Sequence, residues 1–229
     1  APGDVVQITT RGLSIIDKEV QIDNLGRLIL PIIAPFFAQG KTLEEIKEYI
    51  LNELRIGDAS ASVYITLSAA RLIPIKVTGA VNNPQTIAVP AYTRLSHILS
   101  KVGGVKEIGS MRTITLTNSS NGTSSIDLYN FLQKGARLRD PQITEATDIF
   151  IDNIKSTVAI LGFVGFPAIF ELPKNKTEIS IKSLLNMANV NLTPNGTMFE
   201  ILRFNSNGIV TAENIQVSTT SMIKSGEAL

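Results

Sequence analysis

From residue 73 onward the amino-acid sequence repeats itself, and this repeat restricts the possible folds more than any other feature. Residues 77–84 and 160–167 share a glycine, a valine and a proline at the same spacing, with equivalent positions 83 residues apart. An apolar residue followed by proline comes next in each copy, at 89–90 and 172–173. A repeat whose elements recur in the same order indicates two homologous small domains.

Each copy continues with a short amphipathic helix and then with further strands. The apolar helix positions are Leu95, Ile98, Leu99 and Val102 in the first copy and Ile181, Leu184, Leu185 and Ala188 in the second. Gly103 and Asn189 follow the helices, and both residue types tolerate the left-handed backbone that ends a helix. The later strands are expected at 111–117, 126–128 and 146–151, then at 198–204, 215–217 and 225–229. Two strands, a helix across them and further strands describe a β-grasp domain.

The first 70 residues predict several strands and one helix. Residues 5–10 alternate between two faces, as does the segment 61–68, and both are typical of strands. Thr42 and Glu45 form a capping box, because the hydroxyl can accept from the third amide while the glutamate reaches back. Apolar residues behind it recur on one face, so a helix is predicted over 42–55.

A turn rich in Asp, Asn and Gly at 23–26 separates segments 20–22 and 27–30, which are predicted to pair as a hairpin. The whole chain is therefore expected to be α+β: a small β-rich domain with one main helix, then two β-grasp-like domains in tandem. The expected domain bounds are 1–72, 73–155 and 156–229.

Composition excludes several classes of site and partner. The chain has 229 residues, no cysteine and one histidine, so thiolate metal sites, cysteine nucleophiles and disulfides are excluded. A net charge of +1 argues against nucleic-acid binding. The uncharged, largely apolar stretch 156–170 has 15 residues, short of the ~20 that a membrane-spanning helix needs. It is predicted to be the central hairpin of the second repeat, buried in its own core.

Few residues stand out as candidates for chemistry. His97 lies beside apolar helix residues without a partner nearby in sequence, and is interpreted as a partly exposed helix residue. Asp4, Asp17 and Asp23 could supply the acid and base of a glycoside hydrolase, but Asp4 and Asp23 lie in turn-like contexts where aspartate bonds the backbone. The sequence thus predicts no catalytic, cofactor-binding or metal site and no cofactor, and it leaves the substrate-binding residues unidentified.

A small basic group follows a helix expected at 129–133. Its members are Lys134, Arg137 and Arg139. They are interpreted as a solvated loop or as a contact between subunits rather than as an anion site.

Several motifs together carry a resemblance. The chain opens with Pro2-Gly3-Asp4 before a hydrophobic strand, continues with Leu30-Pro31, and has Gly40-x-Thr42-Leu43-x-Glu45 at the helix start. In this order the chain resembles bacterial outer-membrane polysaccharide export proteins of the Wza type. Their Asp-Gly turn is here the longer segment 23–26.

The repeats resemble the soluble-ligand-binding β-grasp (SLBB) domains of that family. The signature of these domains is Val-x-Gly-x-Val-x-x-Pro-Gly. Both copies keep the first glycine, the second valine and the proline, whereas Gln85 and Ala168 stand where the final glycine is expected.

The resemblance implies a ring-forming conduit without chemistry: the periplasmic portion of an outer-membrane channel subunit that exports capsular or extracellular polysaccharide. Its implied partners are the polysaccharide polymer, further copies of the full-length protein and an inner-membrane co-polymerase. A signal peptide, a lipidated cysteine and a membrane-crossing segment are expected outside this chain, which is expected to stop inside the closing strand of the second repeat. A composition rich in Ser, Thr and Asn with 18% charged residues fits a passive conduit for sugar.

Two other functions are open. A β-grasp ligand- or sugar-binding module would show a concave pocket with convergent polar groups. A polysaccharide-modifying enzyme would need two carboxylates held across a sugar ring, for which the sequence offers no candidate pair.

Overall fold

The computed structural model describes residues 1–129, 131, 140–162, 164–190, 198–204, 207, 209–216 and 221–229. The helices with bounds in this part of the chain are α1 (Leu43–Arg55), α2 (Leu95–Lys101) and α3 (Ile181–Met187). The strands of the first half are β1 (Val5–Arg11), β2 (Asp17–Gln21), β3 (Arg27–Leu30), β4 (Ile33–Phe37), β5 (Ser62–Ala69), β6 (Leu72–Gly79), β7 (Gln85–Pro90), β8 (Thr93–Arg94) and β9 (Gly109–Asn118). Those of the second half are β10 (Gly122–Ile126), β11 (Gln142–Ile143), β12 (Thr147–Asn153), β13 (Thr157–Ile160), β14 (Ala168–Glu171), β15 (Glu178–Ser180), β16 (Met198–Phe204), β17 (Val210–Gln216) and β18 (Met222–Lys224).

The predicted fold class is confirmed: the chain is α+β, with a β-rich first part followed by two β-grasp-like domains in tandem. The fold divides into two compact units. The first contains Ala1–Ile75, Ile87–Arg94 and Gln142–Ala146, and the second contains the remaining residues, including most of both repeats.

In the first unit, β1 lies between β2 and β5 in an antiparallel sheet. Strand β1 buries Val6, Ile8 and Thr10 on one face, as its alternation predicts. Helix α1 adds Ile46 and Ile50 to the same core. The predicted capping box is present: the Glu45 N–H donates to Thr42 Oγ1 over 3.2 Å, and the Thr42 N–H donates to Glu45 Oε2 over 2.6 Å. These bonds set the start of the helix.

The predicted hairpin of 20–22 with 27–30 is wrong in its pairing. Strand β2 pairs with β1, and β3 pairs with β4. The turn itself is present, since the Gly26 N–H donates to the Asp23 carbonyl over 2.9 Å. A second reversal at Pro31 folds β4 back onto β3 at once, so the nearer partner of β3 follows it in sequence.

The first repeat forms a five-stranded sheet in the order β10-β9-β12-β6-β7. The predicted apolar residues of α2 are buried. Of the strand expected at 126–128, only Ile126 lies in a strand, which begins earlier because the Asn118 side chain and Gly122 (φ 67°) close a tight turn. The strand thus resumes at Gly122, as β10.

The second repeat has the same strand order. Strands β13 and β14 form one hairpin and β16 and β17 another. Ala228 bridges Ala159 of β13 in parallel and Leu202 of β16 in antiparallel orientation, so it lies where β12 lies in the first repeat. Of the strand expected at 215–217, residues 215 and 216 belong to the longer β17, and residue 217 lies outside the described residues.

The core of the second repeat contains the predicted helix positions, but the prediction that segment 156–170 is buried is right for only three of its described residues, Val158, Ile160 and Phe170. Ile181, Leu184, Leu185 and Ala188 are all fully buried, and Asn189 has the expected positive φ of 55°. The segment 156–170 is the predicted hairpin, although Leu161, Phe166 and Ile169 remain exposed. No helix among the residues that the structure describes is both long and apolar enough to cross a membrane.

Candidate functional site: the polar junction between the repeats

The side chain of Glu171 joins the two repeats. Glu171 ends strand β14 of the second repeat and is 7% exposed. Its carboxylate accepts a short hydrogen bond from Ser110 Oγ and one of 3.0 Å from the Met111 N–H, both on β9 of the first repeat. A buried carboxylate is stable only when hydrogen bonds replace its water, and β9 supplies them.

The guanidinium of Arg112 adds a second set of contacts to the junction. Its Nε donates to the backbone carbonyl of Glu171 over 3.0 Å, and its Nη1 forms a 3.1 Å ion pair with Asp127. Its Cζ lies 3.9 Å from the ring centroid of Tyr129. The cation thus bridges the main chain of the second repeat to two side chains of the first.

Tyr129 closes the junction. Its hydroxyl accepts from the Glu171 N–H over 3.1 Å, and its ring packs against the core of the second repeat. Burial raises the pKa of the Tyr129 phenol. The hydrogen bond from Glu171 and the charge of Arg112 act in the opposite direction, but the net shift is upward. The phenol is therefore neutral at physiological pH. Every buried side-chain nitrogen and oxygen in the described part of the chain has a hydrogen-bond partner.

Beside the junction is a small polar pocket of about 160 Å³. Its lining residues are Thr113, Lys155, Ser156, Glu171, Leu172, Pro173, Lys174, Asn175, Lys176 and Thr177. We call this the lysine pocket. Most of these lining residues are polar or charged.

A larger pocket of about 410 Å³ lies on the first repeat between α2 and β9. Apolar side chains such as Leu99, Val105, Met111 and Leu128 contribute most of its wall. The first unit has a pocket of about 150 Å³ near Leu13 and Asp58, whose carboxylate already accepts hydrogen bonds from Leu13 and Ser60. The lysine pocket is therefore more polar than the apolar pocket of the first repeat.

The structure separates Asp17 from Asp4 and so does not bring all three candidate aspartates together. Asp4 and Asp17 lie at opposite ends of the β1–β2 ladder, which runs from Val5 to Thr9. Asp17 accepts from the side chains of Gln7 and Thr9, whereas Asp23 binds the backbone and the side chain of Arg27. Each aspartate thus has a structural role, as the turn interpretation predicts for Asp4 and Asp23.

His97 is exposed on helix α2, in line with its interpretation as an ordinary helix residue. Within the part of the chain that the structure describes, no group of three or more His, Asp or Glu residues is arranged to hold a metal ion. Lys134, Arg137 and Arg139 lie outside the described residues, as does most of the helix expected at 129–133.

Asp4 anchors the opening strand to the end of the first unit's sheet. Its Oδ1 accepts from the Arg71 N–H over 2.9 Å, and Oδ2 lies 2.6 Å from the Ala1 amino group. Burial raises the pKa of Asp4, but the hydrogen bonds from the amino group and from Arg71 outweigh it, so the net shift is downward. The folded state therefore favours the carboxylate, and this stability is present above the ordinary pKa near 4.

We expect Asp4→Asn to destabilise the first unit by about 1 kcal/mol at neutral pH. The difference from the wild type should shrink as pH falls through the lowered pKa of Asp4, because the wild-type carboxylate then becomes protonated. Urea unfolding at several pH values between about 2.5 and 6 measures it. Asp17→Asn is the control. If the difference in stability between Asp4→Asn and the wild type did not change with pH, the stabilisation could not be assigned to the Asp4 carboxylate.

Sequence reasoning missed the junction. Its contacts join residues about 60 positions apart, and the periodicity of either segment gives no sign of them. One signal was available: Glu171 stands between Phe170 and Leu172 in an apolar strand, where the equivalent position of the first repeat is Ala88. A carboxylate confined to one copy of a repeat indicates a contact that only this copy makes.

Two family sequence models match the chain. Residues 1–68 match the polysaccharide biosynthesis/export protein family, and residues 74–128 match the SLBB domain. These matches, an export domain followed by an SLBB domain, support the resemblance of the chain to polysaccharide export proteins of the Wza type.

Among curated proteins, the chain is similar to two sequences of polysialic acid transport protein KpsD from Escherichia coli. Each is 26% identical over 204 residues, which cover 88% of this chain and 36% of the relative. The chain thus spans about a third of the length of these relatives.

Proposed function

We propose that this chain is a periplasmic part of an envelope protein that exports capsular or extracellular polysaccharide as a ring-forming conduit. The observation that carries the proposal is the polar junction, together with the export domain that precedes it. Glu171 and Arg112 fix the two repeats into one compact unit, as a rigid wall segment requires. A receptor that closes around its ligand needs a hinge between its lobes.

The family and the relatives support the substrate and the place of action. The matched family handles polysaccharide export, and the relatives are named as transporters of polysialic acid. We assign no catalytic step, because Asp4, Asp17 and Asp23 each serve a structural hydrogen-bonding role. We place the protein at the periplasmic face of the outer membrane, held there by a lipid anchor and a membrane-crossing segment outside this chain.

The proposed assembly is a ring of identical subunits. Such a ring needs a heterologous interface, in which one surface of each subunit meets a different surface of the next. An inner-membrane co-polymerase would deliver the polymer to it. We retain the domain bounds 1–72, 73–155 and 156–229, and the matched regions 1–68 and 74–128 fall within the first two.

A sugar-binding module is the second candidate, and the polar lining of the lysine pocket is the observation that favours it. The two functions differ in assembly, because a binding module does not need to oligomerise whereas a conduit must close a ring. Native mass spectrometry and negative-stain imaging of the full-length, membrane-extracted protein separate them. We expect a closed ring of one discrete mass, and a strictly monomeric full-length protein would overturn the conduit proposal.

A further inference from the structure

The lysine pocket concentrates positive charge on a chain that is close to neutral. Lys155, Lys174 and Lys176 all contribute to its wall and are exposed to solvent. The carboxylate in the lining, Glu171, already accepts from Ser110 and Met111 of the junction. Three lysines therefore line the pocket together with one carboxylate, whose oxygens already accept hydrogen bonds from the junction.

The positive charges of the three lysines are only weakly compensated by neighbouring carboxylates. Lys155 lies 3.6 Å from Asp152 in an exposed pair, and exposed pairs of this kind are weak. Lys174 Nζ is 3.4 Å from the neutral hydroxyl of Ser125. Lys176 forms no ion pair with any residue that the structure describes. An anion that enters the pocket thus has two ammonium groups without a carboxylate partner to meet.

Backbone hydrogen bonds hold the pocket in shape. The Lys176 N–H donates to the Pro173 carbonyl over 2.9 Å, which closes a turn with Asn175 at φ 62° and a lysine on each side of it. The Leu172 N–H donates to Ser156 over 2.9 Å, and the Ser225 N–H donates to Thr177 over 2.7 Å. The polar groups are therefore presented on a fixed main chain, which lowers the entropy lost on binding.

From this arrangement we propose that the lysine pocket binds the carboxylate of an acidic sugar residue. This inference rests on the proposed function, because the polymer that passes the protein would be the source of the acidic sugar. The pocket holds about 160 Å³, the space of about five water molecules, which suits a carboxylate with part of its ring. Ser156, Asn175 and Thr177 supply hydroxyl and amide groups for the ring hydroxyls.

The matching test is calorimetric titration of the chain with sialic acid oligomers, with neutral dextran oligomers of similar length and with inorganic phosphate. We expect the sialic acid oligomers to bind with an affinity that falls as salt concentration rises, since exposed charges are screened. The triple variant Lys155→Gln, Lys174→Gln, Lys176→Gln should weaken this binding by at least about tenfold, because it removes the charge-assisted hydrogen bonds.

The matched control is Lys18→Gln, Lys101→Gln, Lys182→Gln, which removes the same charge from exposed positions outside the pocket. It should leave the affinity within about twofold of the wild type. The proposal is overturned if the acidic oligomers do not bind, if dextran binds equally well, or if the two triple variants behave alike. Equal binding of phosphate would reassign the pocket to anions in general. Ring formation by the full-length protein is measured separately, so it can persist when this proposal fails.

Discussion

Replacing Gly79 with alanine is expected to lower the free energy of unfolding of the second unit by about 2–5 kcal/mol. Gly79 has a φ of 86°, in the left-handed region where a side chain adds about 1–2 kcal/mol of strain. A Cβ built there would also lie 3.0 Å from both the carbonyl carbon and the amide nitrogen of Ile151, and closer still to the Ile151 oxygen. Main-chain atoms of a central strand cannot move aside without loss of sheet hydrogen bonds, which adds about 1–3 kcal/mol.

The repeat provides a matched control for this substitution. Gly162 occupies the equivalent position of the second copy and has nearly the same φ, 87°, but among the described residues no heavy atom beyond its chain neighbours lies within 4 Å of a Cβ built there. Gly162→Ala should therefore show the backbone strain alone, about 1–2 kcal/mol. Urea unfolding followed by far-UV circular dichroism gives both values, and equal losses for the two variants would show that close approach to Ile151 is unimportant.

The second large effect is expected at the junction. Glu171→Ala removes the acceptor of the Ser110 hydroxyl and of the Met111 N–H at a buried position. Since each donor left without a partner carries a desolvation penalty, we expect a loss of about 2–4 kcal/mol. Glu171→Gln keeps one acceptor oxygen but loses the charge, and should fall between the wild type and Glu171→Ala.

The control for this pair is Glu178→Ala, an exposed glutamate on β15 of the same repeat. An exposed position without buried partners should change stability by no more than about 0.5 kcal/mol. A double-mutant cycle with Ser110→Ala isolates the coupling between the repeats. Strictly additive losses at Glu171 and Ser110 would contradict a direct interaction between them.

The sequence predicted the elements that depend on local patterns. The capping box of Thr42 and Glu45, the buried face of α3 and the left-handed residue Asn189 follow from spacing and residue type, and the structure confirms each. The internal repeat also anticipated that Ala228 would continue a strand equivalent to β12. Each of these features is determined within a short stretch or by comparison of the two copies.

Pairing between strands and the junction depended on information that no local pattern contains. The segment 20–22 alternates between apolar and polar residues, which suits pairing with the strand before it or the strand after it. Only the fold reveals that β2 pairs with β1. Glu171 and Arg112 meet because two domains are joined at a particular angle, which depends on packing rather than on periodicity. Their assignment therefore needed three-dimensional contacts.

The most direct measurement of the central proposal is the amount of polysaccharide on the surface of cells that lack the gene for this protein. If the protein is an export conduit, the polymer should still be synthesised, should accumulate inside the envelope, and should return to the surface when the full-length wild-type gene is restored. Undiminished surface polysaccharide in the deletion strain would contradict a role in export.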